Sequence, residues 1–472
     1  MSVHKLFRQI VEKVEITGFA AEGKAIGRVD DMVVFVERGA PGDVVDILIK
    51  KTKSNFFEGE IVKMHQPSPH RVEPVCKHFG LCGGCRWQHL SYAEQLSNKQ
   101  QQVIDSLIRI GKVPPDTFEL FSIAGAMDPY FYRNKLEFTF TNRKWLTTED
   151  FQTTENEIQR DGLGFHVPNM FDKVFDVENC WLQPEPSNAI RNSVKQFAIQ
   201  NGLSFWDFKK GTGLLRNLLI RNSSRGDIMV IVVFGNHPCE KGKLLLDYLV
   251  RHFPQITTLA YFVNNKKNSS FNDLETVVYH GSPVMEEQIE GLQFAVGPKS
   301  FYQTNSAQTK VLYAIARGFA SLTGNEVVYD LYTGTGTIAL FVASQASKVI
   351  GIDYVDEAIA HARENAMRNN IFNAQFFAGD MAKVFNAEFI QKNDRPDVVI
   401  TDPPRAGMHP GVIKSLLECA PQKIVYVSCN TATQARDIEM LSSLYRVDKV
   451  QAVDMFPQTH HVESVVLLAK QQ

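Results

Sequence analysis

Apolar positions in the first 70 residues come as short or alternating runs (11–16, 32–36, 44–49 and 58–64). Gly23, Gly27, the Gly39-Ala40-Pro41-Gly42 stretch and Asn55 separate them. Period-two runs bounded by such residues predict short strands, and strands with glycine corners predict an OB-like barrel. Pro67, Pro69 and Pro74 mark a linker. A helical pattern follows over 92–110, with Gln and Lys on its polar face. From Phe131 to about Asn265, strand-like runs such as 135–141, 214–221 and 228–234 predict an antiparallel or mixed sheet. From about Gly291 the rhythm becomes regular. Strands are expected at 327–332, 348–353, 375–378, 397–401 and 423–428, with helices at 338–345, 356–369 and 412–420. That alternation predicts a doubly wound parallel sheet. Two final strands, near 447–453 and 462–468, have no helix between them and predict a hairpin at the sheet edge.

At 472 residues the chain has length for about three domains. A composition of 44% hydrophobic and 22% charged residues is that of an ordinary soluble globular protein. Apolar stretches are strand-sized, so no transmembrane helix and no membrane partner are expected. The first nine residues have no apolar leader core, which predicts a cytoplasmic protein. A net charge of −2 gives no global attraction to nucleic acid, so any polyanion must be held by a local patch. Lys50, Lys51 and Lys53 lie just before Phe56 and Phe57. A cationic loop beside aromatics can follow a phosphate backbone and stack a base; the plain alternative is a solvated loop beside core phenylalanines.

Seven cysteines without an export signal point to metal or catalysis rather than disulfides. Cys76, Cys82 and Cys85 form a glycine-rich C-x5-C-x2-C loop, and Cys180 offers a fourth thiolate. Four sulfurs suit zinc or an iron–sulfur cluster, and spacing alone does not choose. His78 and His89 are weaker candidate ligands. The first strand of the regular segment runs into Asp330-Leu331-Tyr332-Thr333-Gly334-Thr335-Gly336-Thr337, and the second ends at Asp353. A G-x-G-x-x-A turn fits a dinucleotide almost as well as S-adenosylmethionine. Asp330 favours the second, because a carboxylate suits a cationic methionine end better than a pyrophosphate. Asp402-Pro403-Pro404-Arg405 at the fourth strand tip gives a rigid turn that can hold a flat base. Cys429 follows the strand at 423–428 and Glu463 opens the last one, which suggests a nucleophile and a base. The plain alternative is a buried structural Cys and a surface Glu.

With these residues assembled, the chain resembles the RNA 5-methyluridine methyltransferases, specifically the iron–sulfur branch acting on 23S ribosomal RNA. The resemblance covers nearly the whole chain and implies an α/β plus β architecture. Residues 1–70 would be a TRAM barrel, marked by Ala40-Pro41-Gly42-Asp43-Val44-Val45. Residues 71–290 would be a central mixed-sheet, RNA-binding domain carrying the cluster loop, with a stretch near 92–125 that could pack on the catalytic domain. Residues 291–472 would be a Rossmann-like, S-adenosyl-L-methionine-dependent methyltransferase domain. Cys76, Cys82, Cys85 and Cys180 match the family's [4Fe–4S] ligands. Gln303, Tyr332, Thr337, Asp353, Asp380 and Asp402 match its cofactor-pocket positions, Cys429 its nucleophile and Glu463 its base. The implied product is 5-methyluridine, made by a monomer on a single-stranded or extruded uridine. The chain departs from the family at Thr333 (usually Cys), Thr337 (often Asn), Asp353 (more often Glu) and Thr431 (usually Pro). Competing readings are a transfer-RNA substrate, a non-catalytic RNA-binding factor, and an NAD-dependent oxidoreductase.

Overall fold

The computed structural model describes residues 6–152, 159–168, 170–271 and 273–471. Strands β1 (Ile10–Phe19), β2 (Ala25–Val29), β3 (Met32–Val36), β4 (Val44–Thr52) and β5 (Phe56–Gln66) close a barrel in the order β1-β2-β3-β5-β4. Inward residues such as Ile16, Val34, Ile47 and Phe57 fill it. Gly27, read from sequence as a break, lies inside β2 opposite Ile16 and Val34. A Cβ there would meet Val14 Cγ1 at 2.8 Å, so the glycine permits close strand approach.

The expected cationic loop needs correction. Phe57 is barrel core, 2% exposed, and Phe56 packs edge-on against Phe35. Lys50 and Lys51 stand on β4 and pair with Glu60 (3.0 Å) and Glu58 (3.3 Å), because strand pairing brings β5's acidic face alongside. Lys53 alone belongs to the β4–β5 turn.

Helix α1 (Tyr92–Arg109) is capped by the Ser91 side chain, which accepts from Glu94 N. The next strand, β6 (Glu119–Ala124), joins the catalytic sheet and not the central one.

The central sheet contains β7 (Lys135–Thr141), β8 (Gly162–His166), β9 (Val174–Asp176), β10 (Leu215–Asn222), β11 (Ile228–Phe234), β12 (Thr258–Val263) and β13 (Val277–Gly281), in the order β13-β12-β11-β10-β7-β8-β9. It is mixed: β11 and β12 run parallel, and the other neighbouring strands pair antiparallel. The short α2 (Thr148–Gln152) precedes β8. One face packs on α3 (Ser187–Gln200) and α4 (Glu240–His252). The other shares a core with the catalytic half, where Met229, Ile231 and Phe262 meet Leu312, Ala316 and Phe341.

After the hairpin β14 (Met285–Ile289) and β15 (Leu292–Val296) comes α5 (Ser306–Ala320), then the doubly wound part. Its strands are β16 (Val327–Leu331), β17 (Lys348–Asp353), β18 (Ala374–Ala378), β19 (Val398–Thr401), β20 (Lys423–Ser428), β21 (Tyr445–Val453) and β22 (Glu463–Lys470). Helices α6 (Thr337–Val342), α7 (Asp356–Arg368), α8 (Met381–Val384), α9 (Ala387–Asn393), α10 (Pro410–Cys419) and α11 (Thr431–Leu441) alternate with them. The order is β18-β17-β16-β19-β20-β22-β21-β6, so the expected terminal hairpin is not the edge: β6 pairs parallel with β21 beyond it.

Candidate active site

Strand register brings the site together. In β20 and β22, Ser428 pairs with Ser464 in antiparallel register. The residues one step further toward the sheet's ligand-facing end are therefore Cys429 and Glu463. In β16 and β19, Leu331 pairs with Thr401, so Tyr332 and Asp402 leave the sheet side by side. Parallel strands ending together open a crevice at their C-terminal tips.

Glu463 is 4% exposed. Burial first, and then the facing Asp402 carboxylate, push its pKa well above the ordinary carboxylate range, while Arg405 opposes them. Asp402 is likewise raised by burial. Cys429 is half-buried, and its thiol is pushed up to about 11 by burial and by the Glu463 and Asp402 charges; Arg405 pulls it down and hydrogen-bonds it. Arg405 is thus the cation that favours the thiolate here. Arg405→Gln should therefore slow Cys429 alkylation by iodoacetamide at pH 8 by about threefold and move the rate–pH curve upward. An unchanged curve would count against Arg405 as that cation.

Cys429 is held by the start of α11. Asn430 caps this helix, its Oδ1 accepting from Ala432 N (3.1 Å), and its Nδ2 donates to Arg405 O (2.9 Å), tying the Asp402-Pro403-Pro404-Arg405 turn to the cysteine. Thr431, where the family usually has Pro, occupies the first helical position. Its hydroxyl hydrogen-bonds Ser106 of α1 at 2.8 Å, a tie that proline could not make.

The glycine turn closes the other side. Asp330 is buried, and desolvation raises its pKa to about 7, against hydrogen bonds from Thr333 Oγ1 (2.5 Å) and Ala339 N (3.0 Å). Thr333 thus uses its hydroxyl where a Cys would make a weaker bond. The second oxygen of Asp330, Oδ1, is buried with no partner. Asp353 accepts from Gly334 N (2.9 Å) and Val355 N (3.0 Å), which draws this shorter acid onto the turn. Gly336 has φ 80°, and a Cβ there would press on Ala362 and Phe376 at 3.0 Å. Tyr332 holds a left-handed conformation (φ 65°) that costs a bulky residue about 1–3 kcal/mol, a strain typical of ligand sites.

Thr337 opens α6 and hydrogen-bonds the Tyr313 hydroxyl (2.9 Å). Tyr313 is a site residue that sequence reasoning missed. It is buried on α5 and feels Asp402, Asp330 and Glu463 together. Gln303 is buried just before α5; its carbonyl accepts from Asn134 Nδ2 (2.8 Å), so the central sheet's entry holds it. Asp380 is exposed at the β18 tip and caps α8 through Ala382 N (3.1 Å).

Cys76, Cys82, Cys85 and Cys180 line one cavity of about 210 Å³, with Arg133 and Thr459 among its walls. Burial pushes the Cys82 and Cys85 thiols up (Cys85 to about 12), and the charges of the other cysteines add to this. Among the described residues no three His, Cys, Asp or Glu side chains are grouped tightly enough for a single metal ion. Four thiols lining one cavity are a donor set of the kind that soft metal centres take. His78 and His89 are engaged elsewhere, His78 accepting from Glu178 N and His89 meeting Gly39 O at 3.0 Å.

Known proteins are similar to this chain. The family profile "tRNA (Uracil-5-)-methyltransferase" matches residues 284–471, and that of the TRAM domain matches residues 9–62. An RNA methyltransferase of Bacteroides thetaiotaomicron is 54% identical over 95% of this chain and 99% of its own. One from Porphyromonas gingivalis is 52% identical over 97% and 99%. The crystal structure of Pyrococcus abyssi tRNA (uracil-54, C5)-methyltransferase with S-adenosyl-L-homocysteine superposes with a TM-score of 0.74. It is 28% identical and covers 97% of this chain and 100% of that one. With relatives matched end to end and a thiol and carboxylate at the crevice, the chain belongs to the S-adenosyl-L-methionine-dependent RNA uracil-5-methyltransferases that carry an N-terminal TRAM domain.

Proposed function

We propose that the protein methylates C5 of a uridine in 23S ribosomal RNA through a covalent Cys429 adduct, with Glu463 as the base. The observation that carries this is the β20–β22 register, which sets Cys429 and Glu463 side by side with Asp402 facing both. Gln303, Tyr332, Thr337, Asp353, Asp380 and Asp402 hold S-adenosyl-L-methionine, which supplies an electrophilic methyl on a sulfonium. Uracil C5 is a poor nucleophile. The Cys429 thiolate adds to C6, and the electron pair displaced to C5 takes the methyl as its bond to the donor sulfur breaks, leaving S-adenosyl-L-homocysteine. Glu463 then removes the C5 proton, the C5–C6 double bond re-forms, and the C6–S bond breaks to return the thiolate. A uridine in a fold must be extruded to reach this crevice.

The four cysteines hold a [4Fe–4S] cluster in a structural or RNA-positioning role. The four thiols that line one cavity support this. Anaerobically purified protein is then brown, with about four irons per chain. Stoichiometric zinc without iron overturns the assignment.

A second reading, a transfer-RNA substrate, rests on the Pyrococcus abyssi enzyme, which acts on tRNA and aligns over its full length. A full-length layout therefore does not by itself select ribosomal RNA. Mapping 5-methyluridine in 23S and transfer RNA from cells with and without the gene tests both. Loss confined to 23S RNA is expected, and loss confined to transfer RNA overturns the ribosomal assignment.

Charge linkage at the donor pocket gives a further expected result. Asp330, with its pKa near 7, is protonated when folded but ionised when unfolded between about pH 4 and 7. Its burial therefore destabilises the empty enzyme progressively through that window, and fully above it. A cationic ligand favours the ionised form, so the thermal shift with saturating S-adenosyl-L-methionine should be larger at pH 8 than at pH 6. Equal shifts would place Asp330 outside the ligand's field.

A further inference from the structure

We infer that Lys99 is a positioning residue for proton removal: its buried pair with Asp454 fixes the segment that sets Glu463. This rests on the reading of Glu463 as the base.

Val453 closes β21 and pairs directly with Glu463 at the start of β22. The intervening segment, 454–462, turns the chain between them, and its conformation decides how the Glu463 carboxylate enters the crevice. A connection of that length does not define one geometry by itself. One face of α1 supplies the definition. Lys99 Nζ donates to Asp454 Oδ1 (2.6 Å) and to Phe456 O (3.1 Å), Tyr92 OH donates to Asp454 Oδ2 (2.9 Å), and Gln95 and Gln458 bond reciprocally (Nε2 to Oε1 3.0 Å, N to Oε1 2.9 Å). Spacings of three and four residues put Tyr92, Gln95 and Lys99 on one helical face. The Lys99 and Asp454 side chains are both 0% exposed.

A wholly buried ion pair seldom adds net stability over apolar side chains of similar volume. What it supplies here is geometry. An apolar pair could fill the volume but could not hold the first residue of the segment by both carboxylate oxygens. α1 also reaches the nucleophile's side through the Ser106–Thr431 contact, so one helix steadies both supports.

The test separates proton removal from the steps before it. On 5-fluorouridine RNA, addition of Cys429 and methyl transfer proceed, but C5 carries fluorine and has no proton to give up. The enzyme then stays attached, whatever Glu463 does. The variant is Lys99→Met/Asp454→Leu, which removes the pair without stranding a buried charge. In vitro transcripts of 23S and transfer RNA are made with uridine or 5-fluorouridine, and the one methylated by wild type is used. The expected result is a trapping rate on the fluorinated RNA within about threefold of wild type, and turnover on uridine RNA reduced at least tenfold. Equal turnover, or a parallel fall in both rates, overturns the inference. Tyr92→Phe, which removes one tie and keeps the ring, should show the same split at smaller size, and a parallel loss there also overturns it. Absence of any adduct between wild type and fluorinated RNA instead overturns the covalent reading on which the inference rests.

Discussion

Alanine at Cys429 is expected to remove methyl transfer altogether, a loss of roughly four orders of magnitude or more, on the scale seen when a covalent nucleophile is deleted. Without addition at C6 there is no electron pair at C5, and the remaining groups can bind both substrates but cannot join them. Donor affinity should be unchanged, because Asp330, Asp353 and the glycine turn make no contact with Cys429 through any hydrogen bond described above. The substitution removes a half-buried thiol from a crevice, not from a packed core, so the fold should survive it. Labelled-methyl transfer and calorimetric binding of S-adenosyl-L-methionine check both halves. Methylation above a trace would end the nucleophile assignment. In the wild type, the thiol at about 11 leaves only a small thiolate fraction at neutral pH, so the rate of addition should climb as pH rises.

The sequence carries the strands of the doubly wound sheet almost to the residue, since β17 and β20 coincide with the expected 348–353 and 423–428. Apolar runs between glycine turns leave little room for another reading there. Several strands escaped it, β2 and β6 among them. β2 was hidden because Gly27 looks like a break when only local conformation is weighed; it serves a close crossing that exists only once the barrel has closed. β6 has mostly exposed or half-buried positions without strict alternation, and its place at the far edge of the catalytic sheet is set by α1 packing on α11, a long-range fact. The same holds for the site. Residues at strand tips, such as Asp330, Asp402 and Cys429, could be found from the strand pattern alone. Tyr313 could not, because a tyrosine on an apolar helix face reads as core until the fold sets its hydroxyl on Thr337 and within the field of Asp402, Asp330 and Glu463. The lysines at 50 and 51 fail for the converse reason: their acidic partners lie on the adjacent strand, visible only in the register.

Glutamine at Glu463 should stop the reaction one step later. The substitution keeps the shape of the side chain and removes its capacity to accept a proton. Addition and methyl transfer therefore proceed, and the product remains bonded to Cys429. Loss of a positioned general base costs about 10²–10⁴ in turnover. A denaturing gel with labelled RNA should then show a slow-migrating protein–RNA band that wild type lacks at steady state and that the Cys429→Ala/Glu463→Gln double variant never forms. Near-normal turnover with no such band would remove Glu463 from the base role. Burial and the facing Asp402 raise the Glu463 pKa, so the acidic limb of the wild-type rate profile should lie above the usual carboxylate range. Glutamine also relieves Asp402 of that neighbouring charge, and the Asp402 carboxylate ionises more readily. Any residual release by the variant should therefore lose that limb even as the adduct builds up, because the carboxylate whose ionisation gated release is gone.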